Sequence, residues 1–170
     1  MPLNSSSLTL RVQADQTSLL DLATGQIKLD WGQSPLALGS GVAANQADRL
    51  FTDRRTLAAS ASEDLDLAAV LLDAFGATLT FARIKGLIVK ADSANINNVI
   101  VGGAAANGFV SWAGGATHTV TVRPGGVLAL WAPDAVAYAV TAGTADLLKV
   151  ANGGAGSGVT YDIILIGASA

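Results

Sequence analysis

What most constrains this chain is the way glycine punctuates short runs of alternating apolar and polar residues. Gly102-Gly103, Gly114-Gly115, Gly125-Gly126 and the segment Asn152-Gly153-Gly154-Ala155-Gly156-Ser157-Gly158 all fall between such runs. Apolar residues that recur at every second position belong to strands with one face on a core. Helical spacing is nearly absent. The best helical stretch is Leu65 to Ala74, yet Leu65 and Leu67 alternate with Asp64 and Asp66, so only Ala68 to Ala74 leaves room for a short turn of helix before Gly76.

The clearest unit runs from His118 to Trp131. His118, Val120 and Val122 fall on one face, and Thr117, Thr119, Thr121 and Arg123 on the other. Arg123-Pro124-Gly125-Gly126 supplies a turn, since proline presets φ at the first corner and glycine accepts a positive φ at the second. The expectation is a hairpin with Val127 to Trp131 as partner strand. An early pair is expected from Leu8-Thr9-Leu10-Arg11-Val12 and Gln26 to Trp31. Further strands are expected at Arg55 to Ala59, Asp64 to Leu67, Asn98 to Val101, Tyr138 to Val140, Leu147 to Val150 and Val159 to Ile166. Leu79 to Lys90 needs a bend, and the apolar parity changes around Gly86, which points to a bulge there. Ile163-Ile164-Leu165-Ile166 is apolar on both faces, as a central strand or one covered by a partner would be.

About ten short strands with regular turn signals make an all-β fold, a β-sandwich or jelly roll of two packed sheets. Residues 1–48, with their serine-rich start and Gly39-Ser40-Gly41, are expected to form a looser N-terminal arm or outer hairpin. Residues 49–170 form the sandwich.

Charge and chemistry narrow the function. Charged residues are 14% of the chain, against roughly 25% in an ordinary soluble domain. Either neighbouring subunits cover part of the surface, or the surface is rich in alanine and threonine; composition leaves both open. The net charge of −3 is spread along the chain, and the densest basic spot, Arg49, Arg54 and Arg55, is interleaved with Asp48 and Asp53. That is the pattern of local ion pairs, so no direct nucleic-acid binding is expected. No run of about 18 apolar residues suggests a membrane span, and the N-terminus reads as no signal peptide. With no cysteine, the chain offers no disulfide, thiolate metal site or cysteine nucleophile. This suits a protein that never meets an oxidising compartment.

Candidate chemistry is thin. His118 is the single histidine, and its parity with Val120 and Val122 suits a packed or edge position better than a catalytic one. Glu63, Asp64 and Asp66 form the tight acidic cluster, but no third ligand follows at calcium-loop spacing, and a solvated strand face explains them. The glycine-rich segment 152–158 has neither the Gly-x-Gly-x-x-Gly nor the Lys-Ser/Thr pattern of a phosphate loop. Trp31, Trp112 and Trp131 are dispersed, as core or interface anchors are. No catalytic, cofactor-binding or metal-ligating residue is assigned, no cofactor is expected, and the chain is read as a non-enzyme.

A set of segments carries a family resemblance. These are Asp53 to Ser60, Glu63 to Ala68, Asp73 to Ala77, Asn97 to Gly103, Val122 to Gly126 and Val159 to Gly167. From Phe51 onward the chain resembles a family of small proteins encoded among the head genes of tailed bacteriophages. The resemblance implies a capsid cement or decoration protein with a jelly-roll core that clamps adjacent major capsid subunits on the head surface. It would be made in the bacterial host cytoplasm, with self-association as a dimer or trimer at capsid symmetry axes. The alternatives are another virion β module, such as a head fibre base or a tail or adhesin component, and a carbohydrate-binding module.

Overall fold

The computed structural model describes residues 3–19, 21–33 and 35–170. Among them there are fourteen strands and no helix. They are β1 (Ser5–Leu8), β2 (Arg11–Leu19), β3 (Thr24–Gly32), β4 (Leu36–Ser40), β5 (Gln46–Ala47), β6 (Arg49–Leu57), β7 (Ser62–Asp66) and β8 (Arg83–Ala91). The remainder are β9 (Val99–Gly102), β10 (Thr119–Val122), β11 (Val127–Trp131), β12 (Tyr138–Ala139), β13 (Leu147–Asn152) and β14 (Val159–Ala168). The turn of helix allowed over Ala68 to Ala74 does not form. Leu67 to Val70 make a turn, and Leu72 bridges to Thr78 instead.

Two antiparallel sheets carry the fold. One has the order β11-β8-β14-β6, with β12 also paired to β8; the other has the order β10-β9-β13-β7. Chain order and sheet order together give a jelly roll: most successive strands cross from one sheet to the other, and β6 and β14 meet from opposite ends of the sequence. The alternating residues meet between the sheets. Ile84, Leu87 and Val89 of β8, Val99 and Val101 of β9, Leu148 and Val150 of β13, and Ile163 and Leu165 of β14 are all fully buried there. β14 is central, flanked by β8 and β6, which explains its two-faced apolar run.

The expected hairpin at His118 to Trp131 is corrected. The turn itself is right: Gly126 N–H donates to Arg123 O over 2.7 Å, and Gly125 has φ of 74°. But β10 pairs with β9, as Val122 opposite Val99 shows, whereas β11 pairs with β8, Val127 lying opposite Lys90. The turn is an arch between the two sheets. Proline at the first corner restricts the turn to the unprimed types, whose twist splays the flanking strands, while two-residue hairpins favour the primed types.

The bend in β8 sits where the parity changes. Ile166 opposes Gly86 and Gly167 opposes Ile84, so Lys85 is the extra residue of a bulge. Gly86 is needed as glycine: a Cβ there would lie 2.9 Å from the ring of Trp131 and 3.4 Å from Ile166.

The early pair is also corrected in extent. Leu8 ends β1 and pairs with Leu36, while Val12 in β2 pairs with Trp31. β1–β4 and β2–β3 are the base and distal half of one long hairpin. Between Leu36 and Gly32 its returning strand holds one residue more than its outgoing strand holds between Leu8 and Arg11. The base, joined by β5, lies on the outer face of the β11-β8-β14-β6 sheet, where Leu38 and Ala47 are buried with Ile166 against Trp131 and Ile164.

Candidate interaction surface

Several charged groups of the sandwich are paired with one another. On β6 the inward positions are Phe51, Asp53, Arg55 and Leu57, so Arg55 turns inward while Arg54 turns out. Arg55 Nε donates to Glu63 Oε2 at 2.7 Å and its Nη1 to Asp53 at 2.7 Å; Tyr161 Oη donates to Glu63 Oε1 at 2.7 Å. The hydrogen bond to Glu63 holds the Arg55 guanidinium above the usual arginine range, and burial pushes the Tyr161 phenol up. On the outer face, Arg54 donates to Asp162 at 2.6 Å and holds that carboxyl below its usual range. The expected local pairing is present for Arg49 with Asp48 and Arg55 with Asp53, while Arg54 pairs across strands with Asp162.

The acidic cluster does not converge. Glu63 faces the interior in this network, Asp64 is exposed, and Asp66 accepts the N–H of Ala68 at 2.9 Å. Among the described residues no group of three or more His, Cys, Asp or Glu is placed to hold a metal ion. A hollow between Leu3, Leu50, Phe75 and Leu79 contains Asp73, whose carboxylate accepts the N–H groups of Phe75 and Ala77. Those donors, Ala77 first, hold it below the usual carboxylate range.

His118 lies one residue outside β10 and is exposed, with Nδ1 2.6 Å from Ala113 O. Of the packed and edge positions open to it, His118 takes the edge one: β10 is an edge strand, Val120 on the same face is 37% exposed, and Val122 alone of the three is buried. A hollow beside it is walled by Trp112, Val120, Leu128 and Leu130, with no carboxylate among its lining residues. The glycine-rich segment joins β13 to β14 and is held by Asn97 Nδ2 and Asn152 Nδ2, which donate to Ser157 O at 2.9 and 2.7 Å. The three tryptophans part company. Trp112 packs on the main core, Trp131 under the hairpin base, and Trp31 stands out on β3.

Lys85 is a group that sequence reasoning missed. It is fully buried, and Nζ donates to Ala43 O at 3.0 Å, Asp134 O at 2.7 Å and Pro133 O at 3.4 Å. Burial, with Arg83 nearby, holds its ammonium below the usual lysine range. The parity break at Ile84 and Leu87 is the signal that could have found it: both face the core, so the residues between them face the other way.

The largest uncovered apolar feature is the distal ribbon β2–β3. No residue of either strand is buried. Cross-strand register places Val12 with Trp31, Ala14 with Leu29 and Gln16 with Ile27 on one face. Ile27 is 69% exposed, Leu29 49% and Trp31 48%. The opposite face carries Arg11 with Asp30, linked at 2.8 Å, and Asp15 opposite Lys28, with Gln26 donating to Asp15 at 3.0 Å. The sequence showed the returning strand clearly, but Gln13 to Ser18 hid the outgoing one because its inward-phase residues are small or polar.

Fold and surface thus define an all-β sandwich of jelly-roll order, bearing a projecting amphipathic ribbon. No family model, curated protein or solved structure matches the chain. No helix among the described residues is long and apolar enough to cross a membrane.

Proposed function

We propose that this chain is a structural virion protein without chemistry of its own, a cement protein that stabilises an assembled phage head by binding adjacent major capsid subunits. The observation that carries the packing role is the ribbon. An isolated two-stranded ribbon is marginal in water, and this one turns its whole apolar face to solvent. A surface of that kind is completed by another protein subunit. The phage head as the place of assembly rests on the resemblance of Asp53 to Ser60, Asn97 to Gly103 and Val159 to Gly167 to head-gene proteins.

The jelly-roll body suits a clamp. Its sheets are locked by long-range pairing, and its longest edge strand, β6, carries Arg49, Asp53, Arg54 and Arg55, charges that discourage indiscriminate strand addition. The test is to mix purified protein with expanded heads lacking it and sediment the mixture. Saturable co-sedimentation that raises the heads' resistance to heat or chelation supports the reading. A chain that stays in the supernatant at every salt and pH overturns it.

A further inference from the structure

Asparagine precedes glycine twice in this chain, at Asn107-Gly108 and at Asn152-Gly153. Glycine has no Cβ to shield its nitrogen, so in either pair that nitrogen can reach the asparagine side-chain carbonyl once the backbone turns. The fold treats the two pairs in opposite ways. Asn152 ends β13 and is 6% exposed. Its Nδ2 donates to Ala58 O at 2.9 Å and Ser157 O at 2.7 Å, and its Oδ1 accepts the N–H of Gly154 at 3.2 Å. Gly153 N–H donates to Asn98 O at 2.9 Å. The leaving group and the attacking nitrogen are both held. Asn107 instead stands exposed in the loop between β9 and β10, in the left-handed region at φ 51°. Neither its side chain nor the Gly108 N–H has a hydrogen-bond partner among the described residues.

We propose that Asn107 is a site of spontaneous deamidation, an ageing reaction that the fold leaves open at this pair and closes at Asn152. The Gly108 nitrogen attacks Asn107 Cγ. The N–Cγ bond forms, the Cγ–Nδ2 bond breaks, and the Gly108 amide proton leaves with Nδ2 as ammonia. Water then opens the resulting succinimide, giving its hydroxyl to one ring carbonyl and its proton back to the glycine nitrogen. Attack at Cγ yields aspartate. Attack at the main-chain carbonyl yields isoaspartate, whose backbone runs through the side chain. Either product carries a new carboxylate, and neither depends on the assembly role proposed above.

The surroundings set the rate and the consequence. Asn107 O accepts the N–H groups of Asp146 at 3.0 Å and Leu147 at 2.9 Å, and Phe109 N–H donates to Leu147 O at 2.9 Å. Closing the ring turns the peptide joining Asn107 to Gly108 and breaks the first two of these bonds, so the folded chain reacts more slowly than an open one. Isoaspartate lengthens the backbone just before Phe109, a core residue. Aspartate keeps the backbone and tolerates a positive φ as asparagine does.

The test ages the full chain at mildly alkaline pH, with a portion unfolded in guanidinium chloride as reference. Trypsin cuts after Lys90 and Lys149 but not between Arg123 and Pro124, so residues 91–149 carry Asn107 and residues 150–170 carry Asn152. Fragmentation mass spectrometry then locates each conversion. The folded chain should convert Asn107 at least about tenfold faster than Asn152, because more hydrogen bonds must open at the second site. In the unfolded portion the two should convert at like rates. An isoaspartate-specific methyltransferase should label residue 107. Gly108→Ala should slow the conversion several-fold by shielding the nitrogen; its Cβ would meet Ala104 and Val110 at 3.4 Å, an ordinary contact, and its melting curve reports that it is folded. Equal rates at the two sites of the folded chain overturn the inference. So does an Asn107 that stays intact while the unfolded portion converts, a product at 107 without isoaspartate, or a folded Gly108→Ala that ages at the parent's rate.

Discussion

Tyr161 and Lys85 show how single residues manage polarity inside a fold built from apolar strands. The Tyr161 ring is fully buried on β14, and its hydroxyl reaches Glu63 across the sandwich at 2.7 Å. Burial first, and then the Glu63 carboxylate, raise the phenol's pKa. Unfolded tyrosines ionise near pH 10. Above that pH the unfolded chain releases a proton that the folded chain keeps, so stability falls as pH rises. Tyr161→Phe is expected to cost about 1–2 kcal/mol near pH 7, because Glu63 Oε1 loses its donor. It should also flatten the loss of stability from about pH 10 upward. Urea denaturation of both proteins across that range is the measurement.

Lys85 ties the segment around Ala43 to the Pro133–Asp134 loop, a tie reinforced by Asn45 N–H donating to Pro133 O at 2.7 Å. Lys85→Met keeps the length of the side chain but removes the ammonium donor from the carbonyls of Ala43 and Asp134, at about 1.5–3 kcal/mol. Relief from burying an ammonium offsets part of that cost. The expected outcome is a modest net loss of stability together with faster hydrogen exchange at Asn45 N–H. Unchanged exchange there would show that the lysine does not hold the two loops together.

At the scale of elements, the long hairpin divides into a docked base and a free ribbon. The base shares Leu38 and Ala47 with the sheet through Ile166, whereas no residue of β2 or β3 is buried. Gln33 N–H donates to Leu10 O at 3.1 Å, so a short Asn-Gly turn can rejoin the chain after residues 11–32 are excised. The excised chain should keep its melting transition within about 1 kcal/mol of the parent, since surface changes away from packed groups seldom cost more. Calorimetry decides this, and a large loss would mean that the ribbon packs on the body.

Elements were legible in the sequence where period two was strong. β9, β13 and β14 carry branched apolar residues at alternate positions and each was expected close to where it lies, whereas β8 was expected from Leu79 and begins at Arg83. β2 was expected only as far as Val12, because Ala14, Gln16 and Ser18 give alternation no contrast. The arch at Arg123–Gly126 was misread as a hairpin, although Pro124 already argued against the primed turn that a tight hairpin prefers.

For the whole molecule, the jelly roll makes distant parts of the chain interdependent. β14 runs between β6 and β8, so Gly167 lies opposite Arg49 and Ile163 opposite both Asp53 and Val89. Ending the chain at Gly158 removes the centre of that sheet and leaves Leu87, Val89 and Phe51 without their cover. Each uncovered core side chain forfeits on the order of 2 kcal/mol, which a marginally stable domain cannot lose several times over. The truncated chain should show no cooperative thermal transition by circular dichroism, while the full sandwich melts in one step. A sheet whose pairings span most of the chain should also refold on the millisecond-to-second scale.

The sequence by itself determined the class of fold and the inventory of its reactive side chains. Alternation, glycine-bearing turns, one histidine and no cysteine are local or compositional facts, and they need no knowledge of what meets what. Tertiary structure alone decided which strands pair, that Arg55 and Glu63 face inward together, that Lys85 is buried under two loops, and that the ribbon's apolar face stays open. The physical reason is that a strand satisfies only half its hydrogen bonds with any one neighbour and takes its partners from anywhere in the chain. Period two tells which side chains share a face, and only the assembled sheets tell what that face meets.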